Sequence, residues 1–207
     1  MKYLVLGCLT ALALEIPTGA MGETASSETP TESTRELGAD QTAGVPLYKV
    51  IDIVAHKTGK KYVLDPRVHA QVQLIGGDLN HITYAELLTI LKLYGFTAVD
   101  SGGYILVVPE SIVRAMPLPS MTGKEAYPDS QYVTAVIPVT KMPAASLVPI
   151  LRPLVPQQGH LAATVCGNDI LMVDTFANVR RIESLIKVLD TGDSYKPARC
   201  EAPSAKP

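Results

Sequence analysis

The side chains best suited to chemistry in this sequence are four histidines, three cysteines and a handful of glycine-bearing turns. His56, His69, His81 and His160 each lack a second ligand-type residue at metal spacing such as H-x-x-x-H, so they imply no metal site. Thr58-Gly59-Lys60-Lys61 is similar to the end of a phosphate loop. That loop needs a glycine where Val54 stands and a serine or threonine where Lys61 stands, which excludes it. Gly76-Gly77 and Gly102-Gly103 are turn glycines, because neither opens a helix directly after a strand. No serine sits in a G-x-S-x-G elbow. Helix capping accounts for Glu86 and Asp174 without catalysis. The side chains therefore predict no enzyme, no cofactor and no metal.

What is left is the chemistry of the backbone. Gln71, Val72, Gln73 and Leu74 alternate, with Val72 and Leu74 facing a core and both glutamines facing away. If this strand lies on a sheet edge, its unpaired donors and acceptors are a site where a partner strand can add. The competing reading is an internal strand with solvated glutamines.

The elements that must position such an edge follow from hydrophobic period. Pro46 suits a first helical turn, Leu47, Val50, Ile51 and Val54 share one face, and Gly59 stops the helix. Tyr62–Leu64 and Gln71–Ile75 read as strands. Thr83 and Glu86 form a capping box for a helix carrying Leu87, Leu88, Leu91 and Tyr94, closed by Gly95. Phe96–Val99 and Tyr104–Val108 flank the turn Ser101-Gly102-Gly103. A second unit spans Tyr132–Asp190. Val133, Ala135, Ile137 and Val139 alternate as a strand, and Leu147, Ile150, Leu151 and Leu154 form a helix stripe. Pro149 predicts a kink near Ala145. Leu161–Cys166 and Asp169–Val173 pair across Gly167-Asn168, and Asp174 caps a last helix through Leu189. The order is β-α-β-β-α, a three-stranded sheet with both helices on one face. The fold class is α+β, two small domains at 45–109 and 132–190, each a short sheet with two helices, the second KH-like.

Between and around these units lie a leader at 1–22, a Ser/Thr/Glu-rich spacer at 23–44, a linker with prolines at 110–131 and a tail at 191–207. Lys2, the apolar run Tyr3–Leu14 and the small residues near Ala20 read as an export signal, predicting a periplasmic mature chain. Val5-Leu6-Gly7-Cys8 loosely fits a lipidation box, but too few residues precede Cys8 for a full leader. Cys166 and Cys200 would then be left in an oxidising compartment. They either bridge or stay as a strand thiol and a tail thiol. The 207 residues are 47% hydrophobic with a net charge of −2, which gives nucleic acid no electrostatic footing. The KH-type G-x-x-G clamp is also missing. No apolar run reaches the roughly 18 residues that span a bilayer.

AVIPVTKMPAASLVPILRPLV, then TVCGNDILMVD, then a helix ending KVLD, resembles the ring-forming periplasmic domain of bacterial secretins, the outer-membrane channels of secretion and pilus machines. VLDPRVHAQVQLIG, ITYAELLTILKLYGFTAV and GGYILVVP are similar to the short domain that opens the periplasmic part of secretins and is shared with TonB-dependent receptors. That domain generally begins with a strand, whereas Gln41–Gly44 is a poor strand former, so the first sheet is expected to lack an edge strand or to borrow one. The resemblance covers the front of the secretin architecture, and the sequence predicts a chain without the channel. It implies a non-catalytic docking or assembly role in a type II-like secretion or pilus system. The partners would be a secretin channel or inner-membrane platform, with possible homo-oligomers. A receptor-associated signalling module is the alternative.

Overall fold

The structure, a computed structural model, describes residues 44–121, 125–164 and 166–196. The expected leader, nearly all of the spacer and the end of the tail lie outside these residues, as do Cys8 and Cys200. Two hydrophobic clusters organise the rest.

The first lobe runs β1 (Val45–Pro46), α1 (Leu47–Thr58), β2 (Lys61–Leu64), β3 (Gln71–Val72), α2 (Tyr84–Leu93), β4 (Phe96–Ser101) and β5 (Tyr104–Pro109). The α1 stripe of Leu47, Val50, Ile51 and Val54 is buried, and Gly59 ends the helix in the left-handed conformation at φ 65°. A reciprocal capping box starts α2: Glu86 N–H donates to Thr83 Oγ1 at 3.3 Å and Thr83 N–H donates to the Glu86 carboxylate at 2.8 Å. Central β5 lies parallel to β2 and antiparallel to β4. A separate antiparallel pair joins β1 to β3. The first lobe thus does open on a strand, but that strand pairs only with β3 and stays out of the three-stranded sheet, which lacks it as the sequence reading allowed. Gly44 lies so close to β3 that a Cβ on it would come 3.0 Å from the Val72 carbonyl oxygen. The residue that argued against a strand is the one that permits the approach.

The second lobe runs β6 (Ser120–Met121), β7 (Tyr132–Pro138), α3 (Ala144–Leu151), β8 (His160–Ala163), β9 (Asp169–Thr175) and α4 (Phe176–Leu189). The β-α-β-β-α order from Tyr132 onward is as read from the sequence. The sheet, however, has four strands in the order β6-β7-β9-β8, the extra one coming from the segment read as a linker. That segment also holds a 3₁₀ turn at Glu110–Ala115. The α-helix α3 runs through Pro149 to Leu151 and then tightens into a 3₁₀ turn at Arg152–Leu154. The expected stripe holds only in part: Leu147 and Leu151 are buried, while Ile150, still within α3, and Leu154, in the 3₁₀ turn, are 56% and 39% exposed.

Three further expectations change. The β8–β9 ladder closes at Ala163–Ile170, so Cys166 lies in the turn and is exposed instead of in a strand. Leu74 is 41% exposed and past the end of β3, not in the core beside Val72. Asp174 does not cap α4. It is buried at the end of β9, where it accepts from Thr175 N–H and from Asn178 Nδ2, and burial pushes its carboxyl up.

Two polar side chains tie the second lobe together. Asn168, the one described non-glycine residue at positive φ (55°), is buried in the β8–β9 turn. Its Oδ1 accepts from Ala144 N–H at 2.8 Å, capping α3, and its Nδ2 donates to the Val139 and Met142 carbonyls at 2.6 and 3.0 Å. Asp190, just past α4, accepts from the N–H groups of Thr140, Lys141 and Met142 and from the Thr140 hydroxyl. Burial alone would raise the Asp190 carboxyl, but these bonds outweigh it and hold it below the usual range.

Asn168→Ala strips a partner from two buried backbone groups and a third that is half-buried, and we expect denaturant unfolding to show a loss of about 2–4 kcal/mol. Asp190 has its pKa lowered on folding, so its contribution is present above the unfolded carboxyl value, about 3.9, and is lost as pH falls through the folded value. Asp190→Asn should therefore lower the melting temperature at pH 7 and flatten its decline in acid.

Candidate functional site

The strand edge singled out by the sequence resolves into a short, specific structure. Only Gln71 and Val72 enter β3. Val72 is 3% exposed and packs in the first-lobe core, while Gln71 faces solvent. Gln73 and Leu74 continue beyond the strand as the chain turns towards Gly76, whose φ is 75°. The pairing register is Val45 to Val72 and Pro46 to Gln71. Leu47 N–H extends the ladder to the Ala70 carbonyl at 3.0 Å.

Two groups restrict what can add to this pair. Pro46 has no N–H to offer a partner. The Tyr94 hydroxyl, from the end of α2, donates to the Gln71 carbonyl at 2.7 Å. One acceptor of β3 is thus already taken by the lobe's own side chain. The sequence places Tyr94 on the stripe of α2, and its bond to a β3 carbonyl is what that reading missed. The residue sits at the expected helix end, but nothing in its spacing reveals a strand carbonyl as its partner.

Beside the pair, Leu74, His81, Ile82, Thr89 and Ile90 line an open groove of about 360 Å³. Ile75 stands next to it, 95% exposed. The carboxylates at its rim are structural. Asp78 is held below the usual range by Asn80 N–H and by His81, and Glu86 by Thr83 N–H. Both are fixed in the ionised form, not poised for proton transfer near neutral pH. The histidines stay apart: His81 Nδ1 pairs with Asp78 at 2.7 Å and His56 Nδ1 with Asp52 at 3.4 Å, both on the surface. Among the described residues no three His, Cys, Asp or Glu side chains are grouped to hold a metal. No described helix is long and apolar enough to cross a membrane. Cys166 is disulfide-bonded, and Cys200 lies outside the described residues.

The chain is similar to known secretins over about 70% of its length. A family model described as GspD-like, N0 domain, matches residues 42–108. Secretin XcpQ of Pseudomonas aeruginosa is 36% identical over 148 residues, covering 70% of this chain and 22% of the relative. Secretin GspD of Vibrio cholerae is 28% identical over 152 residues, covering 71% and 23%. The chain thus spans less than a quarter of the length of these relatives. The fold matches a Klebsiella pneumoniae type II secretion system outer membrane complex of PulD, PulS and the PulC HR domain. Identity there is 22% and the TM-score 0.63, over 74% of this chain and 27% of that one. These relatives are named as secretins, and the comparisons lend the receptor-linked alternative no support.

Tyr94→Phe removes the bond to Gln71 while keeping the ring. We expect a stability loss of about 1 kcal/mol and faster amide exchange along β1 and β3, read by hydrogen exchange.

Proposed function

We propose, for a chain whose two lobes are secretin N-terminal domains in sequence and fold, a non-catalytic docking and assembly role on the periplasmic side of a type II-like secretion system. The relation along both lobes supports it, because the matching structure is a complex that includes PulS and the PulC HR domain. The single observation that carries the role is the short β1–β3 pair beside an apolar groove, with Leu74 and Ile75 exposed at its margin. Backbone groups supply strand-type pairing and the groove supplies side-chain burial, which together make a β-augmentation site. Gln71, Val72, Gln73 and Leu74 are the proposed contact segment. The chemistry of the described side chains supports no catalytic step.

Self-association is part of the same reading. Val136, Ile150 and Val188 are all more than half exposed on the second lobe, apolar surface that a neighbouring copy would cover. An oxidising compartment would also supply the disulfide of Cys166, for which Cys200 is the proposed partner.

Ile75→Asp tests the docking site, since a residue so exposed contributes little to folding. The full chain should bind the HR domain of a PulC-type protein in a pull-down, and the variant should lose at least about tenfold in affinity with an unchanged melting temperature. No binding by the wild-type chain would overturn the docking role, and binding unaffected by the substitution would overturn its location.

A further inference from the structure

We propose that Lys92, Glu110 and Gln158 form a latch that fixes the orientation of the two lobes, so that they tumble and act as one body. Each lobe holds its own end of the connecting segment. Glu110 N–H donates to the Gly95 carbonyl at 2.9 Å, which anchors the start of the segment to the first lobe. Phe176 and Ala177, opening α4, donate to the carbonyls of Gln131 and Asp129 at 2.8 and 3.0 Å, and Arg180 pairs with Asp129. The far end of the segment therefore belongs to the second lobe. Contacts between these two anchors decide whether the lobes are merely tethered or locked.

The Glu110 carboxylate is that contact. Its side chain is 7% exposed, an unusual place for a charge without compensation. Lys92 Nζ, from the last turn of α2 in the first lobe, lies 3.4 Å from Oε1. Gln158 Nε2, from the loop before β8 in the second lobe, donates to Oε2 at 2.6 Å. The same Lys92 ammonium sits 5.2 Å from the ring centroid of Tyr132, the first residue of β7. One cation and one carboxylate thus each reach both lobes. The Thr89 and Ser130 hydroxyls, 3.0 Å apart, add a further side-chain tie across the junction.

Clefts of about 400 Å³ open on either side of the latch. One is lined by Glu110, Arg114 and Gln158, the other by Lys92, Asp174 and Arg181. Solvent therefore reaches close to both flanks of the polar ties. A buried carboxylate that loses one partner seeks water, and swinging the lobes apart supplies it. The latch does not depend on the docking reading, which bears only on what load it carries.

Backbone ¹⁵N relaxation on the full chain, without any partner, tests this. Wild type should give one rotational correlation time for both lobes. Gln158→Ala and Lys92→Met should each give two distinct values, with amide shifts inside each lobe preserved, and Lys92→Arg should restore one. Distinct correlation times in the wild type, or a single value retained in both disrupting variants, would overturn the latch. If one variant fails to fold, the other decides.

Discussion

Small lobes bury too little surface for hydrophobic packing alone to leave a wide margin of stability, and this constraint shapes the whole molecule. Domains of roughly 60 residues bury a smaller share of their chain than larger ones. Here each core is a single small cluster, holding Leu47, Leu88 and Val107 in the first lobe and Leu147 and Ile182 in the second. Polar side chains make up the difference by pinning backbone that the core does not reach. Asn168 joins the β8–β9 turn to the start of α3, and Asp190 joins the end of α4 to the same β7–α3 connection. Both sit where two loops meet, so each satisfies several backbone groups at once.

The sheet edges answer the same constraint in another way. Short sheets have a large proportion of edge, and exposed edges invite unwanted pairing. The first lobe limits this with brevity, with Pro46, and with Tyr94 over the Gln71 carbonyl. Lys61 at the outer strand β2, with its ammonium near the Tyr104 ring, works to the same end. The surface that results is selective: a partner must supply apolar contacts to the groove as well as backbone pairing.

Charge placement separates the surface from the junction. The Arg67–Asp65 and Lys187–Glu183 pairs join near neighbours in sequence, whereas the exposed Lys60–Asp100 and Arg180–Asp129 pairs reach across the chain at the surface. Glu110 and Asp174 are different, because they are buried where elements distant in sequence converge. A buried carboxylate is sensitive to geometry, and that sensitivity lets it specify one arrangement of the lobes.

The sequence by itself determined the local elements. The α1 stripe, the Thr83–Glu86 capping box, the Gly59 and Gly95 stops and the β-α-β-β-α order from Tyr132 all rest on interactions within a few residues, which period and cap chemistry express directly. Tertiary structure decided whatever depended on partners far along the chain. The strand at Val45–Pro46 exists because Gly44 can approach Val72. The fourth strand of the second sheet comes from a proline-bearing segment that carries no strand signal. Asn168 looked like a turn residue and Asp174 like a cap, and only packing gave one three hydrogen-bond partners and buried the other. The physical reason is common to all of them: a hydrogen-bonding group shows its type in the sequence, but its partner is fixed only when the chain folds back to meet it.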